Sequence, residues 1–151
     1  LDRRGVAAEA TGLAAGLVAP TLFYGDVPDV ARHANAFFCD FDGTYGFEFT
    51  ARDRLDFVTE SGVPEARHDA AHLADIGFPA TYLDADEVAE RYPQFDAEAF
   101  AGAVHYGDTG WVDPYTYTNA LKRAAEDRGA TLELDVDVET VLADDGGVRG
   151  V

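Results

Sequence analysis

At 151 residues with 47% hydrophobic content, the chain is long enough to bury a core of one domain or two small ones. Its 29 acidic residues against 11 basic ones leave a net charge of -18, which excludes nucleic acid as a default partner, because phosphate binding rests on basic side chains that release counterions; anionic membrane surfaces are disfavoured on the same ground. The single cysteine, Cys39, excludes an internal disulfide framework and a cysteine-based zinc site, and no apolar run approaches the roughly 18 residues of a membrane span.

In chain order, Val30, Ala34, Phe37, Phe38 and Phe41 recur at three- and four-residue spacing and predict an amphipathic helix over 28–41, ended by Gly43 and Gly46. Cys39 is expected to be a small buried hydrophobe among those phenylalanines. Over 54–60, Leu55, Phe57 and Thr59 alternate with Asp56, Val58 and Glu60, which predicts a strand with one wetter face. Pro64 suits a first helical position, with apolar Ala71, Leu73, Ala74 and Ile76 following and Gly77 as the stop. An extended piece over 80–83 leads to Asp84, which with Glu87 predicts a capping box on a two-turn helix closed by Pro93. Residues 100–106 read as another strand, and Gly107 and Gly110 as a turn before Trp111.

The final third carries the clearest unit. Asp113 is a helix cap, Pro114 suits the first turn, and Tyr117, Ala120, Leu121, Ala124 and Ala125 form one stripe, so 114–128 is a helix ending before Gly129. Extended pieces follow over 131–134 and 136–142, and a turn over 143–147 leads into a returning strand from Val148. Strands and helices alternate in the manner of an α/β protein.

Few residues carry chemistry by themselves. His68 and His72 stand at a helical metal-binding spacing, but Asp69 occupies the place of the glutamate in the zinc-protease pattern and no third ligand is indicated, so two solvated histidines are expected. No P-loop and no G-x-S-x-G elbow occurs. Trp111 with Tyr106, Tyr115 and Tyr117 reads as core more readily than as a ligand pocket. The acidity is spread evenly along the chain and Lys122 is the only lysine; such a surface repels itself at low ionic strength and is screened where the Debye length falls to about 3 Å, in 1 M salt. A halophilic protein of a high-salt cytoplasm is expected.

Order and spacing add a resemblance. Leu1-Asp2-Arg3 followed by Glu9-Ala10-Thr11-Gly12-Leu13-Ala14-Ala15-Gly16-Leu17-Val18-Ala19-Pro20 resembles the segment after the first dinucleotide-binding helix in the D-amino acid oxidase-like flavoenzymes, the superfamily of glycine and sarcosine oxidases. Gly110-Trp111-Val112-Asp113-Pro114-Tyr115, then Ala120-Leu121, Ala124-Ala125, Gly129-Ala130 and Val138-Glu139-Thr140-Val141, resembles the stretch in which those enzymes return to the cofactor domain. Arg91-Tyr92-Pro93 is similar to the close of the family's short helix.

The resemblance implies a mixed α+β fold: part of an FAD-binding Rossmann-like domain over 1–20 and 111–151, and part of an antiparallel-sheet substrate domain over 21–110. It implies FAD as cofactor, an amine or amino acid as small-molecule substrate, and hydride transfer from carbon to flavin; a dehydrogenase of a hydroxy substrate such as glycerol 3-phosphate is the sibling alternative, and a non-enzymatic acidic binding domain the remaining one. By the same resemblance Asp2 takes the place of the acid that accepts the ribose hydroxyls, where the family usually has Glu. Arg3 would lie near the adenine or its ribose, Thr11, Gly12, Ala15 and Gly16 would fall where backbone approaches the pyrophosphate and flavin, and the backbone of Val138 would pair with the adenine. No residue is assigned as general base or nucleophile. The glycine-rich turn of such a domain would lie about 30 residues before Leu1, and the substrate-clamping residues beyond Val151, so the chain is expected to be a fragment that does not hold flavin tightly alone.

Overall fold

The computed structural model describes residues 1–21 and 26–151. Thr11–Leu13 is a 3-10 turn, and the regular elements are β1 Leu17–Val18, α1 Pro28–Phe41, β2 Phe49–Ala51, β3 Arg54–Val58, α2 Val63–Asp75, β4 Ala80–Asp84, α3 Ala85–Arg91, β5 Gly102–Tyr106, β6 Gly110–Val112, α4 Pro114–Glu126, β7 Leu142–Asp144 and β8 Gly147–Gly150. The fold is mixed α/β, and the registered strand pairs are antiparallel. The chain forms two compact units: Leu1–Gly16 with Asp42–Glu48 and Val112–Val151, and Leu17–Phe41 with Phe49–Trp111. Asp42–Glu48 thus packs with the first unit, although it lies inside the 21–110 segment that the sequence assigns to a second domain.

The second unit is built on the sheet β3-β5-β4, with β5 central and paired along its whole length to both neighbours. On one face Leu83, Val88 and Ala103 are fully buried, with Leu55, Tyr92 and Phe100 against them. On the other, Ala66 and Ala70 of α2 pack on Val104, with Val58, Tyr82 and Tyr106 around them. The expected wetter face of β3 is therefore corrected: helices cover both faces, and Val58 packs inward whereas Phe57 is exposed at the rim beside Phe95 and Phe100, with ring centroids 4.9 and 4.6 Å away. The strand also ends at Val58, because residues 60–62 turn into a 3-10 helix. The buried positions of α2 are Ala66 and Ala70 rather than Ala71 and Ala74, since small side chains four residues apart let the helix approach the sheet closely.

Helix α3 starts on the expected capping box: the Glu87 N–H donates to Asp84 Oδ1 at 2.9 Å and the Asp84 N–H donates to Glu87 Oε2 at 2.9 Å, an arrangement whose removal costs about 1 kcal/mol. Helix α1 has its predicted bounds but not its predicted burial. Only Ala31 is buried, Val30 and Phe37 are exposed, and the phenylalanines are satisfied by one another, with Phe37 stacked on Phe41 at 5.3 Å and Phe38 on Phe49 at 6.2 Å. Cys39 is exposed, contrary to expectation, because it shares a helix face with exposed His33, Ala36 and Asp40 instead of with the phenylalanines. A second three-stranded sheet, β1-β6-β2, completes this unit.

In the first unit, Phe47 is fully buried against the ring of Tyr117, centroids 5.1 Å apart, while Ala120 and Ala124 form the buried face of α4. Asp113 caps that helix by accepting the Thr116 N–H at 2.6 Å, which holds its carboxyl below the ordinary carboxylate range. Trp111 and Tyr115 are exposed rather than core. The strands expected over 131–134 and 136–142 do not form. Asp135 takes φ +57, which breaks any continuous ladder, and the hairpin that does form is β7 with β8, tied by Arg149 Nε to Asp144 Oδ2 at 2.8 Å.

One polar cluster ties loops of the second unit to its sheet. Tyr92 Oη donates to Asp53 Oδ2 at 2.9 Å, and His105 Nε2 lies 3.2 Å from the same oxygen. The contacts from His105 and Tyr92 hold the Asp53 carboxyl below its usual range. A carboxylate with a depressed folded pKa adds stability above its unfolded pKa of about 3.9 and loses it as pH falls through the folded value. The gap in unfolding free energy between the wild type and Asp53→Asn, from urea titrations at stepped pH, is accordingly expected to be constant near neutrality and to shrink below about pH 4.

Candidate functional site

A cleft of about 520 Å³ lies in the first unit, formed by residues 1–11 on one side and 136–138 on the other. Backbone bonds at Asp2 join the two sides. Its N–H donates to the Glu133 carbonyl at 2.9 Å, and its carbonyl accepts the Val136 N–H at 3.0 Å. The Asp2 carboxylate turns back on the chain, Oδ1 accepting the Arg4 N–H at 2.8 Å, and among the described residues its second oxygen has no hydrogen bond. Arg3 Nη2 and Arg4 Nε each lie 3.1 Å from Glu9 Oε1, with all three side chains about half exposed or more. Ion pairs so exposed stabilise little, about 0–1 kcal/mol, so their importance lies in where they hold the guanidinia.

Around Glu9 the chain makes a tight loop. Ala7 takes φ +55, uncommon for a residue with a Cβ, and its carbonyl oxygen fills the space that a Cβ on Gly12 would need. The 3-10 turn Thr11–Leu13 follows, packed on α4, and Gly16 leaves it at φ +76 with its carbonyl accepting the Val112 N–H at 3.0 Å.

Of the residues singled out from the sequence, Asp2, Arg3, Thr11 and Val138 line this one cleft, although Asp2 and Val138 stand at opposite ends of the sequence. Gly12, Ala15 and Gly16 continue away from Thr11 and are not in its lining. Val138 is 40% exposed, so it is no buried strand residue. Arg4, Glu9, Val136 and Asp137 also line the cleft and were not singled out. Arg3-Arg4 is a doublet of cations in a chain with only 11, a signal present in the sequence; Glu9 gives none, being one acid of 29. His68 and His72 are both exposed on α2, and among the described residues no group of three metal-ligating side chains occurs.

The residues fit an adenosine in kind. A carboxylate oxygen without a partner suits a ribose diol, and an irregular backbone segment opposite it has amides not consumed by a sheet ladder. The family model described as FAD dependent oxidoreductase, DAO, matches residues 1–151. Sequence comparison with curated proteins gives no match. Among solved structures, glycine oxidase from Geobacillus kaustophilus superposes with TM-score 0.80 at 21% identity, over 99% of this chain and 45% of that one. L-proline dehydrogenase from P. horikoshii gives 0.83 at 19%, over 97% and 39%. L-alpha-glycerophosphate oxidase from Mycoplasma pneumoniae, with FAD bound, gives 0.77 at 12%, over 96% and 40%. This chain thus spans less than half the length of those enzymes, and the likeness is one of fold.

The steric argument at Gly12 gives an expected outcome. Gly12→Ala should destabilise the protein by about 1–3 kcal/mol, the usual cost of overpacking, whereas Gly5→Ala, whose added Cβ meets nothing closer than Ala8 at 4.0 Å, should change thermal stability by less than about 0.5 kcal/mol. Equal melting temperatures for the two variants would contradict the collision.

Proposed function

We propose, for a chain that belongs to the FAD-dependent oxidoreductase (DAO) family over all of its 151 residues, that the cleft between residues 1–11 and 136–138 receives the adenosine half of the flavin dinucleotide. The observation that carries this reading is the convergence of Asp2 and Val138 on one concavity with an unpartnered Asp2 oxygen. Asp2 would accept the ribose hydroxyls, the Val138 backbone would meet the edge of the adenine, and Arg3 would lie beside that ring or its ribose. Thr11, Gly12, Ala15 and Gly16 would lead the chain toward the pyrophosphate and flavin, Gly12 and Gly16 allowing a backbone course that a side chain would obstruct.

On this reading the first unit belongs to the cofactor domain and the second to the substrate domain, which agrees with boundaries near 20 and 111 apart from Asp42–Glu48. The bound flavin supplies an acceptor for hydride from a carbon that bears an amine, and the protein's part is to orient that carbon and exclude water. We take an amine or amino acid as the substrate class of the whole protein, because glycine oxidase and L-proline dehydrogenase stand among the structural relatives; glycerol 3-phosphate or a similar hydroxy substrate is the alternative suggested by the glycerophosphate oxidase.

Two experiments test these proposals. In the full-length protein, Asp2→Ala should weaken FAD binding about tenfold or more, as expected when a charged hydrogen-bond acceptor is lost; unchanged affinity by flavin-fluorescence titration would refute the assignment. Anaerobic addition of amino acids, and separately of glycerol 3-phosphate, should bleach the flavin absorbance with the former and not the latter. We further propose that the even surface charge belongs to a halophilic protein of a salt-rich cytoplasm. Its thermal midpoint should rise as salt is raised from about 0.1 to 3 M, where screening becomes short-ranged; a midpoint independent of salt would refute this.

A further inference from the structure

Among the side chains that line the cleft, only Arg3 and Arg4 are cationic, and Asp2, Glu9 and Asp137 line it as well. Both arginines meet the same oxygen, Glu9 Oε1, at 3.1 Å, but they do so by different edges. Arg3 uses the terminal Nη2. Arg4 approaches it through Nε, the nitrogen nearest its stem, in an ion pair rather than a hydrogen bond. A guanidinium whose ion pair runs through Nε keeps its outer edge, Nη1 with Nη2, as two parallel N–H donors whose spacing matches two oxygens of a phosphate. Among the described residues neither Nη of Arg4 has a hydrogen-bond partner, and its side chain is 60% exposed, so that edge is accessible.

The charge balance of the cleft makes this edge consequential. A nucleoside diphosphate entering beside three carboxylates is repelled unless a cation stands close to its phosphates. Of the two candidates, Arg3 has its terminal nitrogen engaged by Glu9 and Arg4 does not. We infer that Arg4 is the phosphate-binding residue of the cleft, engaging a nucleotide diphosphate through its Nη1–Nη2 edge, and that Glu9 is a positioning residue that orients this edge through its ion pair on the Nε side. The inference rests on the adenosine reading above for the identity of the occupant, and it gives a role to a residue for which the family resemblance supplied none.

The test uses the full-length protein stripped of flavin, titrated calorimetrically with adenosine and with ADP. The wild type is expected to bind ADP more tightly than adenosine. Arg4→Gln should weaken ADP about tenfold, as for loss of a charged hydrogen-bonding partner, and leave adenosine within about twofold. Arg4→Lys, which keeps the charge but not the fork, should recover only part of the ADP affinity. Glu9→Gln separates positioning from simple charge: removing a carboxylate should by Coulomb's law alone tighten ADP, so a weaker ADP complex with unchanged adenosine binding supports the positioning role, and a tighter or equal one overturns it. Adenosine binding combined with ADP affinity insensitive to Arg4→Gln, or an equal loss for both ligands, overturns the assignment of Arg4 while the adenosine reading stands. Failure of both ligands to bind the wild type removes the adenosine reading and this inference with it.

Discussion

Two backbone hydrogen bonds at one residue organise the candidate site. Asp2 gives its N–H to Glu133 and takes the N–H of Val136, and so fixes the start of the chain against a segment more than 130 residues later. Neither side of the cleft is regular structure there, so no ladder would hold them if these bonds were absent. Closing a loop of that length is costly in entropy, although the cost grows only logarithmically with length. The intervening chain packs around cores of its own, and the two contacts set the register between the two segments.

The residues between those contacts are dominated by small side chains at close approaches. Ala66, Ala70, Ala103, Ala120 and Ala124 are all buried, whereas the fully buried large side chains among the described residues are Phe47, Leu83 and Val88. Hydrophobic stabilisation scales with the apolar area removed from water, at about 25 cal/mol per Å². A core this rich in alanine gains less per residue than one rich in leucine. It gains in proximity: α2 seats Ala66 and Ala70 against one face of β5, and α3 packs Val88 against Ala103 on the other.

Charge distribution separates the cleft from the rest of the surface. The chain carries -18 overall, yet two of its 11 basic residues stand side by side at the cleft and share one glutamate. Concentrated salt would lower the repulsion from the surrounding acids without removing the short-range geometry of the guanidinium groups. Elsewhere the arginines act within the fold. Arg32 closes the end of α2 by donating to the Ile76 carbonyl at 2.8 Å and lies over the Phe78 ring, and Arg67 lies 4.1 Å from the centre of the Tyr82 ring.

What could be read from the sequence was whatever local chemistry dictates. The helix over 28–41 follows from apolar spacing, and the capping box at Asp84 and Glu87, the Asp113 cap and the final turn from residues that act on backbone within a few positions, and the structure has each of them. Asp2, Arg3, Thr11 and Val138 were legible as candidates only through their likeness to a family pattern. That they line one cleft was decided by the tertiary structure, as were the roles of Arg4 and Glu9 in its lining. Burial followed the same division. Periodicity marks which side of a helix is apolar, but whether Phe37 and Cys39 are covered depends on what packs there, and a strand over 136–142 needs a partner that the sequence cannot supply when Asp135 turns the chain out of register. Local propensities are short-range and were fixed by the order of residues; coverage, pairing and convergence are long-range and came only with the fold.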